Sequence, residues 1–301
     1  MGRRLVMGTR GSQLAMWQAN RVVSELRQAH PDLEIALQVV KTEGDQKADV
    51  PFSSFQGRGV FVRELEQALL DGRVDLAVHS AKDVPTDLAP GLELMGSLPR
   101  HDPRDALVGG ELEDLPQGAR VGTSSPRRRA ALARQRWDLT FVDLRGNLDT
   151  RLRKLDEGLF DATVLAGAGR ERLGLGHRIS ERLAPDVCMP APGQGIVVIE
   201  ARSSDAECRR LLAATTECSA LSCLAAERAV LAALGGGCQV PIGALATLDG
   251  RTMRLRAAVT SPDGKRHVEG ETQGDVGAAS EVGKALAATL IERGARELLE
   301  G

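Results

Sequence analysis

Aromatic side chains are scarce in this chain: they make up 2% of its 301 residues, and tyrosine is absent. Proteins that bind single-stranded nucleic acid stack the bases on aromatic side chains, so this composition argues against such a partner. The formal charge is only −2, and the chain as a whole therefore has no field that would attract a polyanion or an anionic membrane. We expect neither nucleic acid nor membrane as a partner, and any anion site must come from locally clustered cations.

Long apolar runs and paired cysteines are missing as well. Nowhere do about 18 apolar residues follow one another, and residues 1–4 lead into a strand-like segment without the apolar core of a signal peptide. The five cysteines have neither metal-ligand spacing nor neighbouring histidines. The sequence thus predicts a cytoplasmic protein without a disulfide framework and without a bound metal. No long apolar stripe marks an interface between copies, so a monomer is the simplest expectation.

Lysine is also rare, because arginine supplies most of the positive charge: six of the 39 basic residues are lysine. An arginine-rich composition follows most simply from the base bias of a genome, so the total carries little information. Arginine forks nevertheless bind carboxylates and phosphates through two parallel hydrogen bonds. The positions of the arginines therefore matter more than their number.

Strands and helices alternate in the first part of the chain. Residues 5–8 and 35–40 have the pattern of strands, and Ser12 caps a helix between them. The next helix ends at Gly72, and the apolar strand 75–79 is of the kind that is buried in parallel sheets. These alternating elements predict the α/β class.

The pattern then recurs further along the chain. Residues 121–125 mirror the strand and Gly-Thr turn of residues 7–12, and residues 155–164 align with residues 69–78 as helix, glycine, aspartate and strand. We interpret the repeats as two similar lobes. Two such lobes usually enclose a cleft, with ligands beyond the carboxyl ends of the strands.

The composition changes near residue 215, where an alanine-rich helix begins. Strands are predicted near 242–248, 252–260 and 265–271, and a helix from 276 to 299. We therefore expect three domains, with residues 1–98 plus 196–214 as a discontinuous first lobe, residues 99–195 as the second lobe, and residues 215–301 as a small α+β domain.

Cations cluster at the start of a predicted helix. Ser125 caps this helix, Pro126 occupies its first turn, and Arg127, Arg128 and Arg129 follow. Backbone N–H groups at a helix N-terminus favour an anion, whereas three cations there oppose the helix dipole unless an anion compensates them. An anion site is favoured over the alternative, a solvated run of charge.

Other arginines extend this pattern. Arg10 lies in the first Gly-Thr turn, and Arg145 and Arg151 follow a later strand. Together they would line the cleft with cations, and a small polycarboxylate or a phosphate is the favoured ligand.

Lys82 and Asp83 follow the strand 75–79, which places them at the carboxyl edge of the first sheet. An ion pair in a surface turn is the alternative interpretation. A carboxylate set among cations stays ionised, and it could accept a hydrogen bond from an N–H donor and stabilise positive charge that develops on a ligand.

Residues 235–243 place Cys238 after three glycines and before a proline-bounded apolar segment. A presented thiol on an exposed loop is one interpretation. A buried cysteine behind a glycine-rich helix end is the other, and this stretch alone does not decide between them.

Five motifs, in order along nearly the whole chain, resemble the signatures of the porphobilinogen deaminase family. The motifs are residues 9–12, 79–85, 121–128, 144–147 and 236–243. The resemblance implies two lobes like those of periplasmic binding proteins and a C-terminal α+β domain. It also implies a transferase of tetrapyrrole biosynthesis that deaminates and couples four porphobilinogen molecules on a dipyrromethane primer and then releases hydroxymethylbilane by hydrolysis.

The resemblance also implies roles for single residues. By alignment, Cys238 carries the dipyrromethane cofactor as a thioether, and its thiol acts as nucleophile once, at assembly. Asp83 matches the catalytic aspartate, which contacts pyrrole nitrogens and stabilises the cationic azafulvene formed as ammonia leaves. Lys82 would pair with cofactor carboxylates.

Further residues match positions in the family motifs. Those expected to bind the cofactor are Ser12, Thr123, Ser124, Ser125, Arg127, Arg128, Arg145 and Gln194. Those expected to assist coupling or to bind the side chains of the substrate are Arg10, Arg145, Arg151 and Arg172. A two-lobed carboxylate-binding or effector-sensing protein without catalysis is the alternative, and such a protein would not need Cys238.

Overall fold

The computed structural model describes residues 4–46, 59–236 and 240–300. The strands are β1 (Arg4–Thr9), β2 (Glu34–Val39), β3 (Leu76–Ser80), β4 (Leu92–Ser97), β5 (Asp105–Val108), β6 (Arg120–Gly122), β7 (Thr140–Val142), β8 (Ala162–Ala166), β9 (Glu181–Arg182), β10 (Val197–Arg202), β11 (Ile242–Asp249), β12 (Thr252–Thr260) and β13 (His267–Asp275). The helices are α1 (Gln13–Ala29), α2 (Glu43–Gln46), α3 (Arg63–Leu70), α4 (Pro126–Gln135), α5 (Leu148–Asp156), α6 (Gly167–Arg172), α7 (Ala206–Ala213), α8 (Cys218–Ala233), α9 (Ala279–Glu292) and α10 (Ala295–Glu300).

The chain folds into two compact units. Unit 1 comprises Met1–Arg100 and Ile196–Leu221, and unit 2 comprises His101–Gly195 and Ser222–Gly301. This division groups the C-terminal residues with the second lobe. The separation of residues 215–301 as a third domain, with the boundaries expected from the sequence, therefore stays a prediction.

The sheet of unit 1 has the strand order β2-β1-β3-β10-β4. β1 is parallel to β2 and β3, whereas β10 is antiparallel to β3 and β4. Leu5, Leu26 and Ile199 belong to the core that α1 shares with the strands. α1 begins where it does because the Ser12 hydroxyl accepts a hydrogen bond from the Ala15 N–H at 3.3 Å.

The first sheet of unit 2 repeats this order position by position, as β7-β6-β8-β5-β9. β6 is parallel to β7 and β8, and β5 is antiparallel to β8 and β9. α3 and α5, the helices that precede β3 and β8, are followed by Gly72 with φ of 69° and by Gly158 with φ of 73°. Glycine adopts this left-handed conformation without steric cost, so the same helix end is used twice. The two lobes predicted from the sequence repeat are confirmed.

β11, β12 and β13 form an antiparallel sheet in unit 2. The core beneath it includes Met253 and Leu255 of β12 and Leu286 and Leu290 of α9. The helix predicted over 276–299 is wrong in its continuity: α9 ends at Glu292, and Gly294 has φ of 88°. The fold class is thus α/β with two similar lobes and a small C-terminal α+β domain. None of the helices that the structure describes is long and apolar enough to cross a membrane.

Candidate active site

Lys82 and Asp83 lie in a single 3-10 turn that directly follows β3 in unit 1. Backbone hydrogen bonds fix this turn: the Ala81 N–H donates to the Ile196 carbonyl at 3.0 Å, and the Val84 N–H donates to the Ala81 carbonyl at 3.2 Å. Both side chains are half-buried. They therefore lie at the strand end expected from the sequence, where they are shielded from bulk water without being enclosed.

Two polar contacts link the end of β3 to neighbouring elements of unit 1. His79 Nε2 lies 3.0 Å from Glu200 Oε2, and both side chains are buried. The Gln18 amide donates to the Ser80 hydroxyl at 2.8 Å. The strand that presents Asp83 is thus anchored to β10 and to α1.

Arg10, which follows β1, is held by a carboxylate of unit 1. Its Nη2 lies 2.6 Å from Asp45 Oδ1, and Nε donates to both carboxylate oxygens at 3.2 Å. The guanidinium carbon also lies 3.9 Å from the centre of the Phe61 ring. Burial works to raise the pKa of Asp45, but the hydrogen bonds and charge of Arg10 outweigh it and lower that pKa. Asp45 was not predicted from the sequence.

The start of α4 in unit 2 is built from three hydroxyl side chains. The Ser125 hydroxyl lies 3.5 Å from the Arg128 N–H as the cap, and the Thr123 hydroxyl accepts from the Ser125 N–H at 3.2 Å. Ser124 exchanges two hydrogen bonds with the backbone of Leu144, at 2.9 and 3.0 Å. The turn after β6 is thereby tied to the segment that carries Arg145.

Arg127 and Arg128 are buried beneath this turn and share one carboxylate. Arg127 Nη1 donates to Asp105 Oδ2 and to the Met189 carbonyl, both at 2.6 Å. Arg128 donates to Asp105 Oδ1 through Nη2 at 2.7 Å and through Nε at 3.0 Å. The sequence suggests that an anion compensates these cations, and the structure shows that Asp105 of the chain itself supplies part of that compensation.

Gln194 belongs to the same cluster. Its amide donates to Asp105 Oδ1 at 3.0 Å and to the Pro103 carbonyl at 2.7 Å. The Cys188 thiol donates to Asp105 Oδ2 at 3.3 Å. Burial, together with the charge of Asp105, raises the pKa of Cys188 to about 12, so this thiol stays protonated and unreactive.

Arg145 and Arg151 flank one turn of unit 2. Gly146 has φ of 104°, and its carbonyl accepts a hydrogen bond from Arg151 Nε at 2.9 Å. Asn147 caps α5 by accepting from the Thr150 N–H at 3.1 Å. Burial lowers the pKa of Arg145. The turn therefore places Arg145 just before α5 and holds Arg151 in the first turns of that helix.

Arg172 is buried on α6, where Nη2 donates to the Gly195 carbonyl at 2.7 Å. Arg170 of the same helix is fully buried and was not singled out from the sequence, although it stands two positions from Arg172. Burial lowers the pKa of both residues to about 10, and for Arg170 the nearby charges of Arg178 and Arg128 add to the effect. Nothing in the sequence around Arg170 signals that its side chain is buried, so sequence reasoning could not have singled it out.

Buried cations outnumber buried acids in the second lobe. Among the described residues of 101–195, the buried charged side chains are Asp105, Arg127, Arg128, Arg170 and Arg172. The buried side chains of this range thus comprise one carboxylate and four guanidinium groups, and the carboxylate pairs with Arg127 and Arg128. Such a surplus is costly unless an anionic ligand neutralises it.

Cys238 lies outside the described residues, as do its neighbours Gly237 and Gln239. Its role as the site of covalent attachment therefore stays a prediction. Within the described ranges, no group of three or more His, Cys, Asp or Glu side chains is arranged to hold a metal ion.

Two family models match the chain. The model described as "Porphobilinogen deaminase, dipyromethane cofactor binding domain" matches residues 5–210, and the model described as "Porphobilinogen deaminase, C-terminal domain" matches residues 221–292. The porphobilinogen deaminase of Roseiflexus sp. (strain RS-1) is 50% identical over 304 residues, which is 100% of both chains. That of Pelobacter propionicus is 46% identical over 300 residues, which is 99% of this chain and 97% of the relative.

Solved structures also match at lower similarity. An extracytoplasmic solute receptor of Bordetella pertussis that binds pyroglutamic acid is 14% identical, with a TM-score of 0.41 over 71% of this chain and 77% of that chain. The family models cover both lobes and the C-terminal domain, and the relatives match from end to end. The chain therefore belongs to the porphobilinogen deaminase family.

Proposed function

We propose that the chain is a hydroxymethylbilane synthase, a transferase that deaminates four porphobilinogen molecules, joins them head to tail on a dipyrromethane cofactor and releases hydroxymethylbilane by hydrolysis. One observation of the structure carries this proposal: four arginine side chains of the second lobe are buried, and two of them, Arg127 and Arg128, are held by the buried carboxylate of Asp105. Each pyrrole unit of the substrate and of the cofactor brings two carboxylates. A surplus of fixed guanidinium groups fits such a ligand.

Asp83 is the proposed catalytic residue. As ammonia leaves the aminomethyl group of porphobilinogen, positive charge spreads to the pyrrole nitrogen of the substrate. The carboxylate of Asp83, fixed after β3, would accept a hydrogen bond from that N–H and stabilise the charge. The dipyrromethane supplies the pyrrole carbon to which the first substrate is joined.

The cations have the task of binding and orienting carboxylates. We assign the cofactor carboxylates to Lys82, Arg127, Arg128 and Arg145, with N–H and O–H donors from Ser12, Thr123, Ser124 and Ser125. Gln194 is assigned to the same cofactor site through its hydrogen bond to Asp105, which holds the two arginines. Arg10, Arg151 and Arg172 are assigned to the side chains of the incoming substrate. Guanidinium groups suit this work because each offers two parallel donors to one carboxylate.

We further propose that the enzyme works as a monomer in the cytoplasm, without a nucleic-acid or membrane partner. The described cysteines support a reducing compartment, since Cys188, Cys208, Cys218 and Cys223 are all free. Light scattering during size exclusion would detect a dimer and thereby contradict the monomer.

Intact mass spectrometry tests the attachment of the cofactor. We expect the active protein to be heavier than its sequence by two linked pyrrole units, and the Cys238→Ser protein to have lost that excess. Cys218→Ser is the matched control, because Cys218 is an exposed free thiol of the same chain. It should keep the excess mass. The bare sequence mass in active wild-type protein would overturn the proposal.

A second variant, Asp83→Ala, tests the catalytic role of this aspartate through the release of product. This protein should fold but should release no hydroxymethylbilane, because nothing would stabilise the charge that develops on the substrate. Near-normal product formation would remove Asp83 from the catalytic role. A carboxylate-binding protein without catalysis would show neither excess mass nor product in any variant.

A further inference from the structure

Asp105 is the buried acid at the centre of the arginine cluster in unit 2, and the sequence did not single it out. It is the first residue of β5 and is fully buried. Its Oδ2 accepts from Arg127 Nη1 at 2.6 Å, and its Oδ1 accepts from Arg128 Nη2 at 2.7 Å and from Gln194 at 3.0 Å. One carboxylate thus fixes the orientation of two guanidinium groups and of one amide.

The hydrogen bonds of the two arginines occupy only part of their N–H groups. Arg127 makes its described hydrogen bonds through Nη1, to Asp105, Met189 and Cys188. Arg128 makes its side-chain bonds through Nε and Nη2, to Asp105 alone. Within the described parts of the chain, Arg127 Nη2 and Arg128 Nη1 have no acceptor. Because the bond to Asp105 decides which edge of each guanidinium is occupied, it also decides which N–H groups stay available.

Asp105 also sets the charge of the cluster. Burial works to raise its pKa, but the charges of Arg127 and Arg128 hold that pKa far below its usual range, so the carboxylate is always ionised near neutral pH. Two cations and one anion leave a surplus of one positive charge, beside Arg170 and its own charge. The carboxylate therefore keeps two like charges together without cancelling their attraction for an anion.

We propose that Asp105 is a positioning residue for the oligopyrrole-binding arginines: it holds Arg127 and Arg128 so that their free N–H groups face the carboxylates of the dipyrromethane. This inference rests on the proposed function and goes beyond it, because it assigns the geometry of the arginine pair to one buried acid. Gln194 extends the effect to the chain segment at Pro103, to which the same amide donates at 2.7 Å.

The test compares three variants as cofactor-free proteins that are then given porphobilinogen. In Asp105→Asn the charge is lost and one acceptor oxygen becomes an N–H donor, so the side chain can no longer hold both arginines. In Asp105→Glu the charge is kept but displaced by one methylene. Asp102→Asn is the matched control, because Asp102 lies three positions away in the same unit, is half-buried, and pairs with the partly exposed Arg104 at 2.7 Å and Arg182 at 3.4 Å. Circular dichroism and size exclusion select the folded fraction of each protein.

We expect the rate of cofactor loading, followed by intact mass, to fall by about 100-fold in folded Asp105→Asn, since small misplacements of binding groups carry penalties of that order. Asp105→Glu should load at an intermediate rate, and Asp102→Asn at the wild-type rate. The rise in melting temperature on loading should shrink in the same order, because the bound carboxylates would meet displaced donors.

Wild-type loading rates in either folded Asp105 variant would overturn the inference while leaving the proposed function intact. If Asp105→Asn does not fold, Asp105→Glu decides alone, because it keeps the charge that the buried arginines require. Failure of the wild-type protein to gain mass would overturn the proposed function, and the inference with it. A purely structural role of Asp105 would lower the folded fraction but leave the loading rate of the folded protein unchanged.

Discussion

Arg170 is fully buried in unit 2, yet its Nε and Nη2 have no hydrogen-bond acceptor among the described residues. Its one described side-chain bond, from Nη1 to the Arg178 carbonyl, is long at 3.5 Å. A buried cation without a paired anion destabilises a fold, whereas a well-packed apolar side chain in its place does not. At the scale of the residue, the buried positive charge of Arg170 thus lowers the stability of the second lobe.

Replacing this cation should stabilise the cofactor-free protein. We expect Arg170→Met to raise the free energy of unfolding by about 1–4 kcal/mol, the range seen when buried charges give way to apolar side chains. Arg210→Met on the exposed face of α7 is the control, and it should change stability by less than about 0.5 kcal/mol. Urea unfolding measures both. A less stable Arg170→Met protein would contradict this reading.

The elements of the two lobes were largely predictable from the sequence, because helix caps and glycine helix ends are local. Ser12 and Ser125 were assigned as caps, and both cap a helix in the structure. The partners of the arginines were not predictable. Asp45 lies 35 positions from Arg10, and Asp105 lies 22 positions from Arg127, so only the tertiary packing of helices and strands brings each acid to its arginine.

The direction of β10 could not be predicted from the sequence either. An apolar run fits a parallel or an antiparallel strand, and only the chain path shows that β10 runs against β3. The break between α9 and α10 was missed for a different reason: a single glycine inside a helical pattern is often tolerated, and Gly294 ends the helix only because of its positive φ.

The turn between β7 and α5 provides a test at the scale of the element. In Gly146→Ala the new Cβ would lie 2.7 Å from Thr150 Cβ, in a backbone conformation with φ of 104°. The turn must shift, and its carbonyl, which holds Arg151, shifts with it. We expect a loss of about 1–3 kcal/mol in stability and a raised KM for porphobilinogen.

Gly158→Ala is the control at the other end of α5. Gly158 also has positive φ, of 73°, but its Cβ would meet nothing within 4 Å. This variant should lose stability by about 1–2 kcal/mol while keeping the wild-type KM. Equal values of KM in the two variants would show that the turn does not position a substrate-binding group.

At the scale of the whole molecule, two glutamates should give unit 1 opposite responses to pH. Burial raises the pKa of Glu66, and the charge of Glu200 adds to this, while the Ala89 N–H opposes it. The hydrogen bonds and charge of Arg209 lower the pKa of Glu93. A carboxyl group whose pKa is raised by folding stabilises the fold at pH values below its ordinary pKa, and this stabilisation is lost as the pH rises. A carboxyl group whose pKa is lowered by folding stabilises the fold at pH values above its ordinary pKa, and this stabilisation is lost as the pH falls.

The comparison of Glu66→Gln with Glu93→Gln measures both effects. At pH values on both sides of 4.5, the ordinary pKa of a glutamate side chain, the stability of Glu66→Gln relative to the wild type should rise with pH. That of Glu93→Gln should fall as pH rises through the same region. Urea midpoints at each pH give the two slopes, and slopes of the same sign would contradict the assignment.

The place of β10 in the first sheet has a consequence for biosynthesis. β10 lies between β3 and β4, and it is encoded after every strand of the sheet β7-β6-β8-β5-β9. On the ribosome, the strands of that second sheet are complete before the first sheet receives its fifth strand. The first third of the chain must therefore wait for a segment made roughly one hundred residues later, and a nascent chain stopped before residue 197 carries two open strand edges where β10 belongs.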